Sequence, residues 1–161
     1  MGNHMMFVIG AGVIFFTAVL SINSTLLHNY GLISESGILL TTSSIGQEII
    51  EEAQGKLFDE ILSVDPSPEL PGYFTAPDSL GNENGEAYPL FDDIDDYNGF
   101  TKIVTTPSGN CSLVVKVGYV DSINIDQWVS QKGFYKKIEV NVFNDVVPNA
   151  VILSHLFCFR K

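Results

Sequence analysis

The first 34 residues of this 161-residue chain contain no Asp, Glu, Lys or Arg, and no proline occurs before Pro66. Basic residues are scarce throughout, eight against nineteen acids, for a net charge of −11. Binding nucleic acid requires cations that neutralise phosphates, so this balance argues against a nucleic-acid partner. Cysteine is limited to Cys111 and Cys158, with no CxxC spacing. His4, His28 and His155 share no metal-like spacing, and His155 reads as a core residue on a strand. No Ser-His-Asp order, Cys-His pair or glycine-rich phosphate loop stands in a convincing context, so no enzymatic activity is expected.

What is present is polarised. From Glu35 to Asp96 there are fifteen acids and one base, Lys56; from Tyr97 onward seven bases face four acids. Neutral front, acidic middle and mildly basic end are the pattern expected of copies that pack against one another, as well as of a merely soluble surface.

Met5–Ile22 carries only Thr17 and Ser21 as polar side chains. As a helix, a run of this length spans about 27 Å, close to a hydrocarbon core of about 30 Å. "MGNH" supplies no basic n-region and no A-x-A-like cleavage site follows promptly, so a retained segment is expected rather than a cleaved signal. The helical pattern continues beyond it. Ile33, Leu40, Ile45, Ile49, Ile50, Ala53 and Leu57 recur at spacings near three, four and seven, with Glu48, Glu51 and Glu52 between them. A helix from about residue 5 to 58 is expected, about 80 Å long, which calls for a membrane span, a coiled coil or a filament core. Ser, Asn, Thr and Gly in Ser21–Gly31 predict a local unwinding there.

Five prolines between residues 63 and 89 predict an irregular loop. Four runs with strand character follow. Residues 100–106 form a short β-branched run. Residues 111–120 place Leu113, Val115, Val117 and Tyr119 on one face. Residues 135–143 point Ile138, Val140 and Val142 inward, with Lys137, Glu139 and Asn141 outward. Residues 150–159 are nearly all apolar and predict a strand covered on both faces. Turn residues at 107–110 and 144–149 suit an antiparallel meander, with the amphipathic half of the helix covering its apolar face. The chain thus divides into a long helix (1–58: an apolar segment 5–30 and an amphipathic half 31–58), an irregular loop (59–99) and a β domain (100–161), an α+β fold.

This order of elements, together with "FDDIDDYNGF" (Phe91–Phe100) and the later "YKKIEVNVFND", resembles type IV pilins and pseudopilins, and is similar to minor-pilin-type proteins of mannose-sensitive-haemagglutinin pilus biogenesis. The resemblance implies a type IV pilin-like fold, a long N-terminal helix packed on a four-stranded antiparallel meander. It also implies a cell-surface structural subunit of an extracellular filament. By the same resemblance, its apolar helix would anchor it in the inner membrane and then pack against the same helices of its siblings in a helical homopolymer. Phe7, Ile9, Val13, Phe16, Leu20 and Leu27 would carry that assembly, with Gly10, Ala11, Gly12 and Ala18 permitting close helix approach. The start differs from the family's pattern: no basic leader is present, Gly2 is followed by Asn3, and no Glu precedes Glu35. A membrane-anchored extracytoplasmic binding domain, or a pseudopilin of a secretion system, uses the same elements.

Asp92, Asp93, Asp95, Asp96 and Asn98 form a dense oxygen cluster. They read as structural, accepting backbone N–H bonds ahead of the first strand, with Ca²⁺ as the alternative; no other cofactor is implied. No EF-hand register fits them, since aligning Gly99 puts Ile94 at the first ligand position. In a simple meander Cys111 and Cys158 fall at opposite ends of the sheet, so two buried thiols are favoured over a disulfide between them. Asn110-Cys111-Ser112 at a turn and Asn23-Ser24-Thr25 on the helix match the glycosylation acceptor pattern, Asn110 being the more plausible.

Overall fold

The computed structural model describes residues 2–66, 68, 71–83 and 86–160; Met1, Ser67, Glu69, Leu70, Asn84, Gly85 and Lys161 lie outside the described residues. Helix α1 (Gly2–Gln54) is followed by short 3₁₀ turns at Glu60–Ser63, Pro71–Tyr73 and Asp95–Tyr97, then by strands β1 (Thr101–Thr106), β2 (Gly109–Tyr119), β3 (Tyr135–Asn144) and β4 (Val151–Cys158).

The unwinding expected within Ser21–Gly31 does not occur: α1 is helical throughout. Its polar side chains bond inside the helix instead of competing with it. Ser24 Oγ and Thr25 Oγ1 both donate to the Ser21 carbonyl at 2.9 Å, and Thr17 Oγ1 donates to the Ile14 carbonyl at 2.9 Å. With no proline to remove a ladder bond, these back-bonds leave the helix continuous. It stops at Gln54 rather than Phe58, just before Gly55, a poor helix former.

The chain divides into two compact units, Met1–Ile38 and Leu39–Lys161. In the first, every described side chain up to Gly37 is exposed. In the second, the rest of α1 lies on the sheet. Thr42, Gly46, Ile49, Ile50 and Ala53 form the buried row and Ile45 is half-buried. Leu40 (70% exposed) and Leu57 (39%) leave the expected stripe, and Ile33 is exposed within the first unit. Leu40 sits about 200° around the helix from Thr42 at 3.6 residues per turn, so it points away when Thr42 points in. The close approach is made at Gly46, where a Cβ would lie 2.8 Å from Leu153 Cδ1 and 3.1 Å from Val142 Cγ2.

The strands form a single antiparallel sheet in the order β1-β2-β3-β4. Val104 pairs with Cys111, Val115 with Val140, and Val140 with Leu153. Leu113, Val115, Val117, Tyr119, Ile138, Val140 and Val142 are all buried against Ile49, Ile50 and Ala53. At the β1–β2 turn, Gly109 has φ +111° and a Cβ there would meet Asp145, so both backbone and space require glycine. The double coverage expected for the last strand is absent. β4 is an edge strand, paired only with β3, and Ile152 is 62% exposed. A run apolar on both faces is read as central, but this sheet has a helix on one face only, so alternate β4 side chains meet solvent.

The long connection between β2 and β3 folds back on the sheet's other face. There Trp128 covers Gly118, with Lys116 Nζ 4.2 Å and Lys137 Nζ 4.5 Å from its ring centre. The helix and the open four-stranded antiparallel sheet make an α+β, pilin-like architecture.

Candidate functional site

Two features stand out: the surface of the front helix, and an acidic loop locked onto the sheet. Phe7 (76% exposed), Ile9 (58%), Val13 (57%), Phe16 (62%), Leu20 (51%) and Leu27 (65%) all project from α1 and are exposed within the first unit. An 18-residue window there has a mean hydropathy of 2.4, so the helix is long and apolar enough to cross a membrane. Gly10 and Gly12 have open space where a Cβ would stand, leaving the backbone accessible to another helix.

The second feature is centred on Lys136, which sequence reasoning missed. It is fully buried on the inner face of β3, in the same alternation as Ile138 and Val140. Its ammonium donates to the Phe58 carbonyl and Asp59 Oδ2, each at 2.8 Å, and meets both oxygens of Asp95 at 2.6 and 2.8 Å. The ring of Phe58 lies 4.6 Å from the same nitrogen. Asp59 is itself an anchor. It accepts from Thr75 N at 2.9 Å and Thr75 Oγ1 at 3.3 Å, and starts the 3₁₀ turn by accepting from Ile61 N. A buried charge is tolerable only when paired and hydrogen-bonded, and Lys136 is both. Its signal in the sequence was parity: an inward-pointing lysine in a strand of a domain whose α1–β1 connection carries excess acid.

The Asp-rich motif is spent mostly on its own backbone. Asp93 Oδ1 accepts from Asp95 N (2.7 Å) and Asp96 N (3.2 Å). Asp96 Oδ2 accepts from Asp92 N (3.0 Å) and Asp93 N (3.3 Å). Asn98 bridges outward, donating to the Leu80 carbonyl and accepting from Val117 N, both at 3.0 Å. Asp92 is exposed. The five residues therefore do not converge on one point. Among the described residues, Asp96 is the one of the five that joins a group of converging carboxylates, with Glu83 and Glu86.

No family model, curated protein or solved structure matches the chain. Its own geometry therefore carries the functional argument.

The two cysteines are free. Cys111 is buried, with Asn144 Nδ2 at 3.3 Å from its sulfur, whereas Cys158 is exposed, which corrects the expectation of two buried thiols. Cys111 pairs with Asn144 at one end of the sheet and Cys158 with Tyr135 at the other, so no bond joins them. Asn110 is exposed at the β1–β2 turn. His155 is half-buried rather than core; its ring meets Gln54 at 3.4 Å and packs on Phe157.

Burial, reinforced by the neighbouring charges of Asp95 and Asp96 and opposed by Lys136, pushes the Asp93 carboxyl up to about 8. A raised folded-state value means that the proton's contribution to stability is complete below the ordinary value of 3.8 and is lost as pH rises through about 8. The urea midpoint of the full chain in detergent, with chelator present, is expected to fall from pH 5 to pH 8. Asp93→Asn, which keeps an acceptor for the two amides, is expected to flatten much of that slope. An unchanged slope in the variant would assign the pH dependence to other groups.

Proposed function

We propose that this chain is a structural, non-enzymatic subunit of an extracellular type IV pilus-like filament. Its front helix is held in the inner membrane before assembly and is surrounded by the same helices of sibling copies afterwards. The observation that carries the reading is the apolar window of α1, none of which is buried among the described residues. Burying apolar surface is worth about 25 cal/mol per Å², so lipid or other helices must cover these side chains. A permanent anchor needs only about 20 apolar residues. Here the helix runs to Gln54, and its last turns are built into the sheet domain. That continuity supports a filament over an anchor followed by a flexible linker. The acidic middle and basic end offer opposite charges to adjacent copies.

Purified full-length protein, transferred from detergent to buffer and viewed by negative-stain electron microscopy, is expected to form fibres of constant diameter. Monomers that remain only in detergent or lipid vesicles would instead indicate a membrane-anchored extracytoplasmic binding domain. Short stubs alone would point to a pseudopilin.

A further inference from the structure

We propose that Glu83, Glu86 and Asp96 form a Ca²⁺ site that fastens the middle of the α1–β1 connection, at Glu83 and Glu86, to the 3₁₀ turn at Asp95–Tyr97 near its end. Carboxylate oxygens of the three residues lie within 4.8 Å of one another. That separation is what ligands on opposite sides of one Ca²⁺ would show, at bond lengths of about 2.4 Å.

Convergence of acids is common on surfaces, and here a second observation goes further. Asp96 is 1% exposed. Its Oδ2 is held by the amides of Asp92 and Asp93, which fixes the orientation of the carboxylate. The remaining oxygen, Oδ1, is buried and has no hydrogen-bond partner among the described residues; nor has Glu86 Oε2. A buried carboxylate oxygen without a donor carries a full desolvation cost, and a cation held among these carboxylates would offset it.

The three groups that converge are all acids, and like charges held this close disfavour full ionisation. A single shared proton removes one negative charge, whereas a divalent cation removes two.

The donor set selects the metal. All three ligands are hard oxygens with no imidazole or thiolate, which disfavours Zn²⁺. One ligand is buried, one half-buried and one exposed, so waters can complete the six to eight oxygens that Ca²⁺ takes. Mg²⁺ demands a tighter octahedron at about 2.1 Å. Asn82 Nδ2 donates to the Glu86 carbonyl at 3.0 Å and brings the two ends of the ligand-bearing segment together. The site stands whether or not the chain forms filaments.

Full-length protein in detergent, stripped with chelator and dialysed, is to be titrated with CaCl₂ by calorimetry while thermal unfolding is followed in parallel. One-to-one binding is expected, with a Tm rise of about 5 °C or more at calcium a hundredfold above its Kd. The E83Q/E86Q double variant is expected to fold and lose both responses, while D92N keeps them. No heat and no Tm change, or an equal response in the double variant, would overturn the site. So would a Tm that calcium leaves unmoved and whose dependence on pH between 5 and 8 is reduced by E83Q/E86Q, because the three carboxylates would then hold a proton. An equal response to MgCl₂ would overturn the choice of cation.

Discussion

Lys136→Met is expected to cost about 3–5 kcal/mol at pH 7, the range for removing one partner of a buried ion pair, out of a total stability of about 5–15 kcal/mol for an ordinary domain. The substitution preserves much of the stem's packing but leaves Asp59 and Asp95, both fully buried, facing each other without a cation. Protonation limits the damage. Taking up a proton at pH 7 on a group that ordinarily titrates near 4 costs about 4 kcal/mol, at 1.36 kcal/mol per unit. That ceiling drops by about 2.7 kcal/mol at pH 5. The variant's deficit, read as a shift in urea midpoint of the full chain in detergent, should therefore shrink as pH falls from 7 to 5. Adding Asp59→Asn and Asp95→Asn should restore part of the loss at pH 7, since the triple variant buries no unpaired charge. A Lys136→Met midpoint equal to wild type would mean that water reaches this cluster.

Val13→Asp is expected to move the protein out of membranes and fibres alike. Val13 stands near the middle of the apolar run and is 57% exposed in its own chain. An aspartate at the centre of a membrane helix costs about 2.5–3.5 kcal/mol, and at about 1.4 kcal/mol per factor of ten that is roughly a hundredfold in partition. Among packed sibling helices the cost recurs in every copy. Sedimentation of membranes and of detergent-free fibres should show the loss, whereas Val64→Asp, at an 82% exposed position of the second unit, should sediment as wild type. Equal sedimentation of Val13→Asp would mean that neither lipid nor sibling helices surround this position.

Much of the fold was legible because period and composition act locally. The alternation in β2 and β3 fixed their inner faces, and the absence of proline marked out the long helix. What failed needed tertiary knowledge. Whether residues 150–159 form a central or an edge strand depends on how many layers the sheet has, and composition does not report that. The helix stripe included Leu40 because spacing tolerates several phases, whereas packing against Leu153 and Val142 at Gly46 selects one. The hydroxyls of Ser21–Gly31 looked like helix breakers, yet they close on carbonyls one turn back. In the acidic loop the motif was visible, but its division of labour was not. Asp93 and Asp96 serve nearby amides, Asp95 serves a lysine 41 residues on, and Glu83 and Glu86 lie outside the dense run that drew attention.

The partners of Lys136 have a consequence for the order of events during synthesis. Phe58 and Asp59 precede it by 78 and 77 residues, so the ribosome has made most of the chain before the ammonium that holds them exists. Until then the loop's acids have only water and their own amides to meet, and closing so long a span is slow. The front helix is thus the earliest part able to settle, and the domain behind it clicks shut last.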